Sequence, residues 1–351
     1  MLNPLSTISA LSANAISAKA RAIYGRRLTA ADYQELTRQR TVSDVAAYLK
    51  ANPGYGVYLA GIDEMQIHRG QLELLLHRSK LERLAALAHY SFAKGAGFYS
   101  YTTLTVEADM LLRVIMLLNS NVPEEIIRTL PTYMQEFVRF DFLELSRVRS
   151  FEDLLRAVEG TPYRELLEPF RAENGQIRLS QCELALKTYA YQTILDTIDK
   201  SYTGAIRREL REAVLTEADL INLVMIYRLR TYFGWEPEQV KSQLLPFRFR
   251  LTDRAVEGML AARNDEAFSK AMRLRAYRRE MEEVSFSYME QCTRRLSYLM
   301  ARKRMHFSTE PPIVFYSLMT LIQLEVENVT TIIEGIRYGL PQEEIEPLLI
   351  L

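Results

Sequence analysis

The chain has 351 residues, which is enough to bury one large core or three cores of about 100–120 residues each. Its 44 basic residues balance its 44 acidic residues, which argues against a dedicated nucleic-acid binder because such a protein relies on excess Lys and Arg. With only 14 Gly and 12 Pro, the composition predicts an almost wholly helical chain of the all-α class.

The predicted elements begin with two short helices, at "TAADYQELTRQR" (29–40) and "TVSDVAAYLKA" (41–51). A long helix is predicted over 66–90 and another over 276–304. The stretch "FYSYTTLTV" (98–106) has the composition of a strand but no partner, and we interpret it as a loop or a helix start.

Prolines and a capping pattern mark further helix boundaries. Pro123, Pro237 and Pro341 are each followed by acidic or amide residues, which predicts that each lies in the first turn of a short helix. In "TEAD" (216–219), Thr216 is predicted to cap a new helix because an acid lies three residues later.

Three phrases of the sequence resemble one another and lie about 110 residues apart. The distance from the opening acid to the proline is 16 residues in the first and third phrases and 20 in the second, which we interpret as a four-residue insertion. The phrases are "EADMLLRVIMLLNSNVPEEI" (107–126), "EADLINLVMIYRLRTYFGWEPEQV" (217–240) and "EVENVTTIIEGIRYGLPQEEI" (325–345). The opening acids, which we align with one another, are Glu107, Glu217 and Glu325.

Two further markers recur in the same order as these phrases. Gln71, Gln181 and Gln291 begin similar segments at steps of 110 residues. The weaker marker contains the aligned acids Asp44, Asp153 and Glu266. We therefore predict three homologous helix bundles, at 14–133, 134–246 and 247–351. If neighbouring bundles meet in the same way, they form a funnel with a pseudo-threefold axis, although an open chain of three bundles is also possible.

The sequence contains no recognisable catalytic, cofactor-binding or metal-binding motif. The four histidines occur in no HxxxH or HExxH arrangement, and "AKGAGF" (93–98) lacks the spacing of a phosphate-binding loop. No GxGxxG and no GxSxG occurs. We predict no enzyme activity of the chain itself and no cofactor, and we interpret the three aligned acids as helix N-termini rather than ligands.

Cysteine usage and hydropathy indicate a protein of a reducing compartment without its own membrane span. Cys182 and Cys292 form no CxxC pair, and we predict that both are buried thiols. The N-terminus lacks the pattern of a secretory signal. The longest apolar run (313–322) has ten residues, so the chain is expected to be soluble or to reach a membrane through a partner.

Basic clusters at 24–28, 273–279 and 301–305 are the candidate partner interface. Such clusters are most often solvated helix faces, and the alternative is a surface that binds an acidic partner. The arginines that we select for this role are Arg26, Arg27, Arg278, Arg279, Arg302 and Arg304.

Three segments resemble the C subunit of archaeal and bacterial V/A-type ATPases, the counterpart of the d subunit of eukaryotic V-ATPases. "KARAIYGRRLTAADYQEL" (19–36) resembles the N-terminal signature, with Lys19 and Arg21 in place of an Arg-x-Arg pair. Residues 219–252 and 325–349 resemble the middle and C-terminal segments of that family. The sequence departs from the pattern ahead of Lys19, where an aromatic residue is lacking, and after "LLP", where Phe247 and Arg248 replace glycines.

The resemblance implies a non-catalytic role. In this family the C subunit is a three-lobed helical funnel in the central stalk, between the soluble rotor shaft subunits (D/F type) and the membrane proteolipid ring. It couples the two during ion transport and is held at the cytoplasmic face of the membrane through the ring. Two alternatives remain from the residues alone, a soluble all-helical scaffold or regulatory protein outside any rotary ATPase, and a nucleic-acid binder that uses the basic clusters.

Overall fold

The computed structural model describes residues 4–88, 96–99, 101–126, 135, 138–171, 177–262, 268, 277 and 289–351, with side chains from residue 14 onward. All secondary structure in these residues is helical, which confirms the all-α prediction. The α-helices are α1 Pro4–Gly25, α2 Ala30–Thr37, α3 Val42–Ala51, α4 Arg69–Ala88, α5 Ala96–Tyr99, α6 Tyr101–Asn119, α7 Phe142–Ser146, α8 Phe151–Ala157, α9 Pro162–Leu167, α10 Leu179–Ser201, α11 Gly204–Thr231, α12 Pro237–Lys241, α13 Asp253–Leu260, α14 Met289–Phe307, α15 Pro311–Arg337 and α16 Gln342–Ile345. Short 3₁₀ turns occupy Pro123–Glu125, Glu168–Phe170 and Glu346–Leu348.

The chain divides into two compact units. One unit joins residues 1–99 to residues 279–351, so the beginning and the end of the sequence share a unit. The other unit comprises residues 100–278. The division into three homologous bundles at 14–133, 134–246 and 247–351 stays a prediction.

Local capping signals determine where the short helices begin. The hydroxyl oxygens of Thr29 and Thr41 each accept a hydrogen bond from the backbone N–H three residues later. In return, the carboxylate of that later residue, Asp32 or Asp44, accepts from the backbone N–H of the threonine. Both predicted short helices are therefore confirmed. Ser150 starts α8 in a similar way, with its hydroxyl accepting from the N–H of Asp153.

The three helices that carry the repeated phrases are each followed, two or three residues after their last residue, by a residue with a positive φ. After α6 and α15 the next N–H donates to the carbonyl five residues earlier, which is the Schellman arrangement, whereas after α11 the N–H of Trp235 donates to the carbonyl of Leu229, six residues earlier. The residues with positive φ are Asn121 (55°), Gly234 (63°) and Gly339 (69°). A proline follows within a few residues in each case, and Pro123 and Pro237 lie in the first turn of a short helix as predicted. Pro341 is instead the N-cap residue of α16 and directly precedes its first turn.

The predicted helix starts at the repeated acids are wrong. Glu107 lies inside α6 and Glu325 lies in the middle of α15, which begins at a proline pair instead. Thr216 lies within α11, and its hydroxyl donates to the carbonyl of Glu212 rather than capping a helix. A capping pattern marks the start of a helix only where the preceding residues are not themselves helical. No Gly or Pro lies between 205 and 216 to interrupt the helix before Thr216, so α11 continues through it.

Other predicted helices lie within a few residues of their observed positions. The long helix predicted over 66–90 is α4, and the helix start predicted over 98–106 is the beginning of α6. The long helix predicted over 276–304 includes residues outside the described part, and its described portion is α14. Across the described residues, no helix combines the length and apolar character that a bilayer span needs.

The cores are apolar and contain both cysteines. In the unit that holds both chain ends, the central part of α15 packs against α2, α3 and α4 through residues such as Leu36, Leu49 and Ile332. Cys182 and Cys292 are buried thiols, as predicted. Burial raises the pKa of Cys182 to about 11, so that thiol is not a reactive nucleophile at neutral pH.

Candidate functional site

Three carboxylates are buried inside long helices, one in each repeated phrase. Glu107 and Asp219 are fully buried, and Glu325 is only 7% exposed. A carboxylate almost never occupies such a position unless a cation or several hydrogen bonds compensate for the lost water. The partners of these three carboxylates therefore define three buried polar sites.

The Glu107 cluster consists of Glu107, Arg139 and Tyr163. The backbone N–H of Arg139 donates to Oε1 of Glu107 at 2.6 Å, and its guanidinium Nη2 donates to Oε2 at 2.6 Å. The hydroxyl of Tyr163 donates to the same Oε2 at 2.6 Å. Burial and this bond to Glu107 raise the pKa of Tyr163, so its hydroxyl keeps its proton and remains a donor.

The Asp219 cluster compensates the charge chiefly with backbone donors. The N–H groups of Phe249, Arg250 and Leu251 donate to Asp219 at 3.0, 2.7 and 3.0 Å. The hydroxyl of Tyr277 donates to Oδ2 at 2.7 Å. Burial and the nearby carboxylate raise the pKa of Tyr277. Three convergent N–H groups and a hydroxyl replace most of the solvation that water would give an exposed aspartate.

The Glu325 cluster consists of Glu325, Leu28, Tyr55 and Arg83. Oε2 of Glu325 accepts from the N–H of Leu28 at 2.8 Å. Oε1 accepts from the hydroxyl of Tyr55 at 2.7 Å and from Nη1 of Arg83 at 3.1 Å. Arg83 also donates to the carbonyl of Gly54 at 2.7 Å, and its guanidinium lies 4.3 Å from the ring centre of Tyr55. Both charges of this ion pair are buried, each side chain being 7% exposed.

The three clusters share one plan. Each carboxylate accepts an N–H from the residues just before a helix-capping residue, together with a tyrosine hydroxyl from farther along the same segment. The capping residues are Thr29, Asp141 and Thr252. Glu107 and Asp219 are bound by the segment that follows them in the chain, and Glu325 is bound by the beginning of the chain. Each carboxylate is therefore paired with the next such segment along the sequence, and the last carboxylate is paired with the first segment.

A side-chain amide accompanies two of the clusters. Asn222 lies three residues after Asp219, and its amide exchanges two hydrogen bonds with the backbone of Leu245, at 2.8 and 3.1 Å. Asn328 lies three residues after Glu325 and exchanges bonds of 2.8 and 2.9 Å with the backbone of Ile350. These amides act as backbone mimics that fix an irregular segment to the helix, which satisfies buried polar groups.

The predicted alignment of Glu217 with the other two acids is wrong in structural terms. Asp219, two residues later, occupies the position of Glu107 and Glu325, and it lies 18 rather than 20 residues before its proline. Two residues turn a helix by about 200°, so the choice of acid decides which side chain faces the core. A signal existed, because Asp219 and Glu325 are each followed by Asn at the third position.

The structure brings together two of the six arginines selected from the sequence. Arg27 and Arg302, far apart in the chain, line one cavity of about 280 Å³ in the unit that holds both chain ends. Arg26 and Arg304 are not on its lining, and Arg278 and Arg279 lie outside the described residues. We name this cavity the basic cavity. A role of these arginines in binding a partner stays a prediction.

The described residues offer no metal site. Within the ranges that the structure describes, no three His, Cys, Asp or Glu side chains converge in a way that could hold a metal ion. Of the histidines placed there, His68, His77 and His306 are exposed, and the ring of His306 packs edge-to-face on Tyr24 at 5.8 Å. His89 lies outside the described residues.

Comparison with known proteins identifies the family. Residues 16–348 match the model of the ATP synthase (C/AC39) subunit, and the chain belongs to that family. The resemblance noted from the three sequence segments is thereby confirmed. The chain is an all-helical member of a family of rotary V/A-type ATPase subunits, a class that takes part in ion transport.

Two curated relatives carry the same family name. The A-type ATP synthase C subunit of Methanocaldococcus jannaschii is 26% identical over 216 residues, which is 59% of this chain and 53% of that protein. The A-type ATP synthase C subunit of Archaeoglobus fulgidus is 24% identical over 217 residues, which is 60% of each. The matched part thus spans between about half and three fifths of each relative's length.

Proposed function

We propose that this chain is a non-catalytic central-stalk component of a rotary V/A-type ATPase, which couples the soluble rotor shaft (D/F type) to the membrane proteolipid ring. The observation that carries the proposal is the family match, which extends over residues 16–348 and leaves few residues outside it. In this role the protein is peripheral, at the cytoplasmic face of the membrane, and is held there by the ring.

The three carboxylate clusters support a mechanical role. A protein that carries torque must resist shear between its helices, and each cluster ties a segment of short helices to a long helix through several charge-assisted hydrogen bonds. Such bonds are directional and resist sliding, whereas apolar contacts alone tolerate it better. None of the three carboxylates is accessible enough to act on a substrate.

The same clusters support the three-unit funnel as part of this proposal. A repeated buried site at Glu107, Asp219 and Glu325, with cyclic pairing along the sequence, is what three homologous lobes around a pseudo-threefold axis would contain. We propose that the lobes enclose a hollow that receives the tip of the shaft. A low-resolution solution envelope of the full chain should show three similar lobes around that hollow, and an elongated envelope with separated lobes would contradict it.

Co-purification tests the function. The tagged chain, expressed in its source cells and isolated from membranes in mild detergent, should bring with it the ATPase shaft and proteolipid subunits. If the shaft contact is ionic, washing with about 1 M salt should release the shaft because charges are then screened beyond about 3 Å. Recovery of the chain without any other ATPase component would favour a scaffold outside the rotary complex and would overturn the proposal.

A further inference from the structure

We propose that the basic cavity binds a small organic anion, meaning a carboxylate or phosphate group carried on a compact apolar body. The volume of about 280 Å³ lies near the lower end of small-molecule sites. The proposal concerns a ligand site and goes beyond the coupling role, so it can succeed or fail independently of that role.

Three arginine side chains and one glutamate side chain line the cavity. Among its lining residues, Arg83 and Glu325 form a buried ion pair and neutralise each other. The two oxygens of Glu325 also accept from Leu28 and from Tyr55, so that carboxylate is saturated. The arginines Arg27 and Arg302 remain, and in the part of the chain that the structure describes neither has a carboxylate partner.

Comparison with the Glu107 cluster explains why Arg27 is available. Arg27 and Arg139 occupy the same place in their segments, two residues before the helix-capping Thr29 and Asp141. Arg139 binds the buried carboxylate of its cluster, but in the Glu325 cluster Arg83 supplies the guanidinium. Arg27 is instead held in place by the carbonyl of Tyr24 at 3.1 Å and by the Tyr24 ring, 4.0 Å from its guanidinium carbon.

Tyr24 belongs to the cavity through its ring rather than through its hydroxyl. Tyr24 lines the cavity and is 8% exposed, yet its hydroxyl has no hydrogen-bond partner among the described residues. The hydroxyl oxygen itself is closed off from solvent, so a ligand in the cavity does not reach it. The anionic group of the ligand is therefore assigned to Arg27 and Arg302 alone.

The remaining lining defines the rest of the ligand. Leu318, Leu321 and Ile322 of α15, together with Ile350, give the cavity an apolar wall. An inorganic anion would leave this wall in contact with water, and a purely apolar molecule would leave the two solvent-exposed arginines without an anionic partner. A molecule with one anionic group and a compact apolar body satisfies both parts of the lining.

Titration of the full chain by isothermal calorimetry tests the site. Benzoate and phenyl phosphate are the anionic probes, benzyl alcohol is the neutral probe, and inorganic phosphate lacks the apolar body. We expect at least one organic anion to bind about tenfold or more tightly than benzyl alcohol, since charge-assisted hydrogen bonds contribute that much. Whichever of benzoate and phenyl phosphate binds more tightly identifies the preferred anionic group.

Matched variants locate the binding. R27Q and R302Q should each weaken binding of the better organic anion about tenfold. The controls R26Q and K303Q change exposed basic residues next in sequence to these two but absent from the lining, and they should leave the affinity unchanged. Tyr24→Phe keeps the ring and should leave the affinity unchanged, while it raises the melting temperature of the free protein because it removes an unsatisfied hydroxyl.

Three results would overturn the proposal. Absence of measurable binding by both organic anions at about millimolar protein and ligand concentrations would exclude a site of this size and charge. Equal binding of benzyl alcohol, unaffected by R27Q and R302Q, would indicate an apolar cavity only. Inorganic phosphate binding as tightly as phenyl phosphate would show that the apolar wall contributes nothing.

Discussion

The Glu107 and Glu325 clusters bury the same charge in different ways. In the Glu107 cluster the guanidinium comes from Arg139, whose side chain is half exposed, on the segment that also donates the backbone N–H. In the Glu325 cluster it comes from Arg83 on the long helix α4, and both partners are buried. The two clusters thus share the carboxylate and the tyrosine, while the arginine comes from a different element in each.

The difference has an energetic consequence. The attraction within a fully buried ion pair must offset the desolvation of two ions. When one partner is solvent-exposed, chiefly one ion is desolvated. Removing one member of a fully buried pair leaves an uncompensated charge, but water can reach the carboxylate side of a half-exposed pair when the arginine is removed. The Glu325 cluster should therefore be the more sensitive of the two.

The largest expected effect is that of Arg83→Met. This change leaves Glu325 buried without a cation, and we expect the free energy of unfolding to fall by about 3–5 kcal/mol. Urea denaturation followed by circular dichroism measures the loss. A loss below about 1 kcal/mol would show that Leu28 and Tyr55 alone compensate the charge.

The matched change Arg139→Met should cost less. Its backbone N–H and Tyr163 still donate to Glu107, and solvent can enter where the half-exposed guanidinium was, so we expect a loss of about 1–2 kcal/mol. The only tryptophan, Trp235, lies in the same unit, so its fluorescence can follow urea unfolding there. A loss as large as that of Arg83→Met would contradict the expected difference in sensitivity between the two clusters.

The tyrosines test what the two clusters have in common. Tyr55→Phe and Tyr163→Phe each remove one hydroxyl donor to a carboxylate, and each should lower the free energy of unfolding by about 1.5–3 kcal/mol. Similar losses would show that the tyrosine is the shared element of the plan. Tyr48→Phe serves as a control of the same chemistry at a half-buried site, where the hydroxyl bonds Asp32 and the loss should be smaller.

The same tyrosines predict a dependence of stability on alkaline pH. Burial, followed by the neighbouring carboxylate, raises the pKa of Tyr55 and Tyr163 in the folded state above the ordinary value of 10.0. A raised folded-state pKa gives stability that is complete below pH 10 and falls as the pH rises above it. Denaturation at about pH 9 and 11 should show this fall, and Tyr55→Phe should reduce it; an unchanged slope in the variant would contradict the assignment.

The smallest expected effects are those of the capping residues next to the clusters. Thr29→Ala and Asp141→Ala each remove a side-chain acceptor at the start of a short helix, and each should cost about 1 kcal/mol. Thermal unfolding by circular dichroism is sensitive enough to detect this. A much larger loss from Thr29→Ala would indicate that the cap also holds the N–H of Leu28 toward Glu325.

Much of the local structure could be predicted from the sequence. The two short helices that begin after Thr29 and Thr41, the first-turn positions of Pro123 and Pro237 and the place of α4 followed from signals that act over a few residues. The same local reasoning failed at Thr216, because a capping pattern inside an uninterrupted helical stretch has nothing to terminate the helix before it. The buried carboxylates were noticed as a repeat but interpreted as helix ends.

The sequence by itself determined the helical class, the start and end signals of many helices, the recurrence of one phrase and the family resemblance. These depend on backbone propensities, on turn chemistry and on the order of residues, all of which are properties of short segments of the sequence. Only the tertiary structure decided that Asp219 rather than Glu217 faces the core, that the first segment of the chain completes the site of Glu325, and that Arg27 and Arg302 share a cavity. Such pairings join residues up to about 300 positions apart, and they depend on how apolar helix faces pack, which no single segment specifies.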